Sequence, residues 1–320
     1  MYNPAIKKRF LENYEEGSQH AIKRVFKHSK SAEELLEKDL YDFNEWQIGK
    51  VLKSLSPHNV EVSKSLGFYI SSYISWAIEN GLRENNINPL KGLTDAYYEK
   101  FVNKSKKIHW SESEFVDLLK RLDNYQDQAL LVLLFNGVMG EDFVEIKNLK
   151  YEDLNVEENS IYIQSRDKNI KLFDVQHMEI LIKAHNEKNY IVYSEEGDYK
   201  EYELIDAPYI IKNLLSKKIQ TPQPVSTPII YNRIARLRKE LDLDYLSANS
   251  IKQSGMIKFA VDLWKKYGEL EKEQFNMIGE RFNLKKMKSH GYEYYNRSAI
   301  KKYVNEQNVK RLYNMDVIID

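Results

Sequence analysis

Seven histidines, His20, His28, His58, His109, His177, His185 and His290, are by type the residues best suited to move protons or bind metal. None of their spacings matches HExxH or a comparable ligand pattern. Cysteine is absent, which removes disulfides, thiolate metal sites and thiol nucleophiles together and fits a reducing compartment. There is no G-x-S-x-G elbow and no phosphate-cradling glycine loop, and the paired acids Glu195 and Glu196 read as a solvated loop. No metal and no cofactor is therefore expected. What remains is the chemistry of fixed cations. The 48 basic and 48 acidic side chains cancel in sum, but they are not evenly mixed. Residues 1–30 carry Lys7, Lys8, Arg9, Lys23, Arg24, Lys27 and Lys30 against Glu12, Glu15 and Glu16, and Lys100, Lys104, Lys106 and Lys107 form an acid-free run. Acids collect instead in Glu152–Glu158 and Glu195–Glu203, so basic and acidic surfaces can coexist on a neutral chain.

The elements that must position these cations follow from hydrophobic periodicity. Val62, Leu66, Ile70, Tyr73, Ile74 and Ala77 recur at three- and four-residue steps, predicting a helix from about 60 to 80 that Gly81 ends. Asn88-Pro89 stops this helical region, and the basic stretch through Lys107 reads as an exposed linker. Ser111 and Glu114 have capping-box spacing ahead of Val116, Leu119 and Leu122, so a second unit begins there. The expected domains are 1–105 and 106–320. In the second, Ala129–Phe135 is apolar on every side, as a helix inside a core would be. Ile161 and Ile163, then Leu172, Phe173 and Val175, flank a predicted hairpin turn at Asp167-Lys168-Asn169. Tyr190–Tyr193 reads as a strand, and the chain from about 207 onward reads as helical apart from a Pro222–Pro228 loop. No run approaches the roughly 20 apolar residues of a membrane span, and the N-terminus lacks the apolar core of a signal peptide. A soluble, intracellular protein without membrane contact is expected.

The segment from Met139 to Leu154, MGEDFVEIKNLKYEDL, resembles the first conserved box of the tyrosine recombinases, T-G-L-R-x-S-E-L-x-x-L-x-W-x-D-I. The family's hairpin follows in the same order. So placed, the box arginine falls on Asp142 and the hairpin lysine falls near Arg166. The family's H-x-L-R aligns with Asn249-Ser250-Ile251-Lys252, and its L-G-H with Ile278-Gly279-Glu280. The family's terminal tyrosine is then one of Tyr292, Tyr294 or Tyr295. Residues 1–90, with Trp76 to Gly81 ahead of Asn88-Pro89, are similar to the family's core-binding domain. Common order and spacing carry the resemblance, which spans nearly the whole chain. It is nearest to the integrase-like lysogeny repressors of SPbeta-type Bacillus phages.

The resemblance implies a mainly α fold with a small β-sheet: a helical core-binding domain followed by a mixed, degenerate catalytic domain. Recombinase cleavage needs a tyrosine nucleophile, two arginines clamping the scissile phosphate, and an acid for the leaving oxygen. Asp142 puts an anion where one arginine belongs. Two unit charges at 4 Å interact by about 1 kcal/mol in water and about 4 kcal/mol at an effective dielectric near 20, here with repulsive sign. Lys252 keeps charge without the bidentate fork, and Asn249 and Glu280 replace histidines. An internal ion pair of Asp142 with Lys252 would fill the vacated place, and Tyr292, Tyr294 and Tyr295 read as packing or partner-contact residues. No enzymatic activity is expected.

DNA binding can outlast cleavage, with double-stranded operator or promoter DNA as the expected partner. Ile230, Ile234 and Leu237 form the buried stripe of a helix that leaves Asn232, Arg233, Arg236 and Lys239 on other faces. The resemblance sends this helix into the major groove, where arginine reads guanine and asparagine reads adenine. By the same resemblance Lys23, Arg24, Lys27, Ser63 and Lys64 contact DNA from the first domain. Lys104, Lys106 and Lys107 cross the backbone, and Arg166, Lys171 and Lys252 reach phosphates. The resulting expectation is a phage or prophage repressor in the bacterial cytoplasm, open to a protein or peptide effector and to homo-oligomerisation on DNA. The rival readings are an active recombinase with a rearranged site and a helical interaction protein that has left DNA.

Overall fold

The computed structural model describes residues 1–103, 107–194, 198–289 and 291–319. Two compact units emerge, Met1–Lys106 and Lys107–Asp320.

The first unit is built from helices α1 (Pro4–Leu11), α2 (Glu16–Leu36), α3 (Glu45–Leu55), α4 (Val60–Glu79) and the short α5 (Asp95–Glu99). Asn44 caps α3 in a reciprocal box with Gln47, and Asn59 accepts from the Val62 amide to start α4. The α4 stripe is buried, and its end is a left-handed Gly81 with the Leu82 amide bonded back to Ala77. Tyr73 centres an aromatic core, 5.0 Å from Phe10 and 4.8 Å from Phe26 between ring centroids. Beside it, Lys7 pairs with Glu33 in full burial and the Tyr73 hydroxyl donates to Asp39 at 2.9 Å. Helix α5 wedges between its neighbours. A Cβ at Gly67 would lie 2.3 Å from the Tyr98 ring, so only glycine lets α4 approach α5 this closely.

The second unit begins at the predicted capping box, where Ser111 and Glu114 exchange bonds to start α6 (Glu112–Lys120). Helix α7 (Tyr125–Phe135) is buried along its apolar run, as its pattern requires. The chain continues through α8 (Val144–Asn148), β1 (Leu154–Asn155), β2 (Ser160–Ile163), β3 (Lys168–Lys171) and α9 (Val175–Asn186). β1, β2 and β3 make one antiparallel sheet in sequence order. Its hairpin turn lies at Gln164–Asp167 rather than at 167–169, because Asp167 takes the left-handed conformation and Lys168 already pairs with Ile163. β4 (Asn189–Tyr193) pairs with β5 (Tyr199–Glu203), a strand the sequence did not signal. Long helices α10 (Thr227–Glu240) and α11 (Ala248–Tyr267) follow, then α12 (Lys272–Arg281), α13 (Arg297–Lys301) and α14 (Glu306–Tyr313).

The expectation of helix after residue 207, broken only by a 222–228 loop, is corrected twice. Residues 207–226 contain no helix, and β6 (Lys286–Ser289) pairs with β7 (Tyr292–Tyr295), so the tyrosine cluster lies on a strand. α11 crosses α7 with no room between backbones: a Cβ at Gly255 would lie 1.8 Å from the Phe135 carbonyl oxygen. Among the described residues no group of acids or histidines could hold a metal, and no helix is long and apolar enough to cross a membrane.

Candidate nucleic-acid interface

The turn after β2 carries Arg166 into a nearly closed polar pocket. Its Nε donates to Glu145 Oε1 at 2.7 Å, and one terminal nitrogen bonds Glu145 Oε2. The terminal nitrogens also donate to the carbonyls of Arg281 and Gly137, both at 2.7 Å. Glu145 is itself saturated, accepting further from the Met139 amide at 2.8 Å and the Asn283 side chain at 2.9 Å. With side-chain exposures of 8% and 0%, this pair is internal structure. Arg166 was expected to reach phosphate; its donors are committed inward instead.

Asp142 is not the partner of Lys252. Asp142 and Phe143 are consecutive left-handed residues, with φ of 50° and 59°. This double turn buries Phe143 against Tyr231, ring centroids 5.0 Å apart, and leaves Asp142 exposed, its carbonyl accepting from Thr227 Oγ1 at 3.0 Å. The carboxylate that faces Lys252 is Glu145. Burial pushes the Lys252 ammonium down to about 8, with Glu145 opposing the shift and Arg166 adding to it. Lys252 makes no hydrogen bond or salt bridge among the described residues. Asn249, one turn earlier on α11, is exposed.

Of the other aligned positions, Glu280 and Tyr295 lie near Arg166. Glu280 binds Lys168 at 2.5 Å on the surface. Tyr295 lies over Gly279, where a Cβ would come within 2.4 Å of its ring, and burial and then Glu280 raise its hydroxyl while Arg166 lowers it. Tyr292 and Tyr294 are solvent-facing, 77% and 42% exposed. Among the three candidates, Tyr295 is thus the one beside the aligned residues. Arg281, which no motif marks in the sequence, stacks on Phe173 at 4.1 Å and is pushed down to about 10 by burial. Glu145 was also passed over, although it stands at the glutamate of the box quoted above.

On α10, Arg233 and Arg236 point inward, contrary to expectation. Arg233 is 6% exposed and donates to the Lys212 carbonyl at 2.7 Å and to Gln126 at 3.3 Å. Arg236 binds Asp127 at 2.6 Å and the Tyr190 hydroxyl at 2.5 Å. The Tyr190 ring lies between them, with guanidinium carbons 4.7 and 4.8 Å from its centroid. The outer face of α10 is instead Pro228, Tyr231, Asn232, Ala235, Arg238 and Lys239, one continuous stripe of exposed residues.

In the first unit Lys23, Arg24 and Lys27 are exposed on α2; Lys23 donates to Gln19 at 3.1 Å and Arg24 to the Leu55 carbonyl at 3.2 Å. Lys64 is exposed but bonded to Asp95 at 2.7 Å. Ser63 is fully buried and donates to the Tyr98 carbonyl at 2.9 Å, so it cannot reach a ligand. Lys107 pairs with Glu114 at 2.6 Å, and the Lys171 side chain is exposed. Lys104 and Lys106 lie outside the described residues.

Residues 109–314 match the family model of the MrpR C-terminal catalytic domain, and residues 1–79 match that of the MrpR N-terminal core-binding domain. The chain belongs to the MrpR family. A relative within reach of sequence comparison is the SPbeta prophage-derived uncharacterized protein YopR of Bacillus subtilis (strain 168), 26% identical over 98% of this chain and 97% of that protein. Among solved structures, lambda integrase in a dimer bound to a COC′ core site aligns with a TM-score of 0.50 at 12% identity, over 98% of this chain and 79% of that one. XerA recombinase aligns with a TM-score of 0.41 at 12% identity, over 97% of each chain. The MrpR chain therefore has an integrase-like fold, mainly helical with small sheets, and the likeness to lambda integrase is one of fold alone.

Proposed function

We propose that this MrpR-family chain is a sequence-specific DNA-binding repressor of a phage or prophage, which maintains lysogeny by occupying operator sites and does not cut DNA. The closed Glu145–Arg166 pair carries the reading. The guanidinium whose charge acts on Lys252 and Tyr295 is bonded to a buried carboxylate and two carbonyls, while position 142 holds an exposed acid. A phosphate clamp needs free arginine donors, and those of Arg166 are committed. Support for DNA as partner comes from the integrase-like fold, whose solved relative holds a core site, and support for a prophage setting comes from the name of the relative. Relief by a protein or peptide effector, in the bacterial cytoplasm, belongs to the same reading.

Sequence would be read by the outer face of α10, with Asn232 as the base reader, and phosphates would be held by Lys23, Arg24, Lys27, Lys171 and Lys252. Asn232→Ala is expected to weaken operator binding by about 1–3 kcal/mol and relax preference at one position, whereas Lys171→Ala lowers affinity for all sequences and reduces the salt slope by about 1. Footprinting across the chain's own genomic neighbourhood at moderate salt tests both. Absence of any site-selective protection ends the proposal.

Lys252 gives the binding a pH signature. Its free ammonium titrates at about 8, well below an ordinary lysine, so phosphate held by the protonated form is released as pH rises from 7 to 9. Lys252→Arg is expected to abolish that dependence while keeping affinity at pH 7. Equal pH slopes for the two proteins would remove Lys252 from the interface.

One observation favours a second reading, an active recombinase with a rearranged site: Tyr295 is close enough to Arg166 and Glu280 to feel both charges. A covalent protein–DNA adduct on nicked duplex, lost in Tyr295→Phe, would establish it.

A further inference from the structure

The first unit carries a groove that no contact described above occupies. It runs between α3 and α5, holds about 660 Å³, and is floored by Tyr97 and Phe101 and walled by Trp46, which is 67% exposed. A Cβ at Gly49 would lie 2.9 Å from the Phe101 ring, so glycine here is what lets that ring form the floor. Lys50, Lys53 and Lys100 surround it, with Glu45 the one carboxylate of the lining. The Lys50 ammonium lies 3.6 Å from the Trp46 ring centroid and the Lys100 ammonium 5.8 Å from that of Tyr97. None of the three has a carboxylate partner among the described residues. An exposed indole beside three unneutralised ammonium groups suits an aromatic side chain flanked by carboxylates.

Strand β5 presents that chemistry. It is exposed at every position, and strand alternation puts Tyr199, Glu201 and Glu203 on one face at steps of about 7 Å. Tyr199 is 60% exposed. Glu201 accepts only a long bond from the Asn189 amide, 3.3 Å, and Glu203 has no side-chain partner among the described residues. Lys50 and Lys53, one turn apart on α3, are about 5–6 Å apart, a spacing that two same-face strand carboxylates can meet.

We propose that two copies of this chain associate head to tail, the exposed face of strand β5 of one copy lying in the α3–α5 groove of the other. Tyr199 seats against Trp46 and Phe101, and Glu201 and Glu203 pair with Lys50 and Lys53. The contact is heterologous, so each added copy leaves a groove and a β5 face unused and a row of copies can form. It does not depend on DNA or on the repressor reading.

Sedimentation velocity of the full chain without DNA, over a dilution series at two salt concentrations, tests the contact. Reversible association weakened by salt is expected. Trp46→Ala removes an exposed ring and is expected to weaken association at least about tenfold. The charge reversals Lys50→Glu with Lys53→Glu, and Glu201→Lys with Glu203→Lys, should each give monomers. An equimolar mixture of the two reversed proteins should associate again, a recovery that misfolding cannot produce. A chain that is monomeric at every concentration overturns the proposal. So does association indifferent to these substitutions, or a mixture that stays monomeric while both variants keep the parent's circular dichroism and melting profile.

Discussion

Replacing Arg166 by alanine is expected to lower the free energy of unfolding by about 3–5 kcal/mol, the range for breaking one side of a buried ion pair. Glu145 would keep its bonds from the Met139 amide and Asn283 but lose the one guanidinium bonded to it among the described residues, with no solvent access to compensate. The carbonyls of Gly137 and Arg281 would lose donors as well. Urea unfolding followed by the fluorescence of Trp110, buried in the same unit, measures the change. The double variant Arg166→Met with Glu145→Gln should cost less than the single one, because no charge is then stranded. A single-variant loss below about 1 kcal/mol, the level of a surface pair, would show that the pair is not buried in solution.

Asp127→Ala is expected to cost a similar amount, about 3–5 kcal/mol, by removing the acid that joins α10 to β4. Asp127 is 1% exposed and accepts from the Tyr190 hydroxyl at 2.8 Å, from Arg236 at 2.6 Å and from Asn124 at 3.3 Å. Its loss leaves Arg236 with Glu240 as its one carboxylate among the described residues, beside the Tyr190 oxygen, and leaves the Tyr190 phenol, whose ionisation burial already suppresses, without an acceptor. Asp127→Asn keeps an acceptor and should cost only about 1–3 kcal/mol. The same experiment separates the two roles once assigned to α10. Arg233 and Arg236 variants should lose stability, whereas Asn232→Ala should unfold like the parent and lose only DNA discrimination. Equal stability of Asp127→Ala and the parent would mean that the clasp around Tyr190 is open in solution.

Much of the fold was legible because local rules and tertiary packing agree. The 62–77 stripe, the Ser111–Glu114 box and the all-apolar run of α7 each have one solution, and the structure adopts it. β5 and the β6–β7 hairpin were not legible because nearly every position is exposed, so there is no apolar face to alternate with a polar one. On α10 the stripe of Ile230, Ile234 and Leu237 was read correctly, yet Arg233 follows Ile230 by three and belongs to the same face. Its charge hid this, because the groups that satisfy it, Gln126 and the Lys212 carbonyl, lie 107 and 21 residues away in the chain. The Glu145–Arg166 pair shows the same difficulty. Both residues stood within or beside recognised motifs, but only packing reveals that one neutralises the other.

The two left-handed residues at 142 and 143 bear on how this protein can change over generations. An arginine at position 142 would sit at an exposed site, on a left-handed backbone, while Glu145 still held Arg166. A free guanidinium beside Tyr295 therefore asks for more than one change, at the 142–143 turn and at Glu145 together, and no single substitution supplies it.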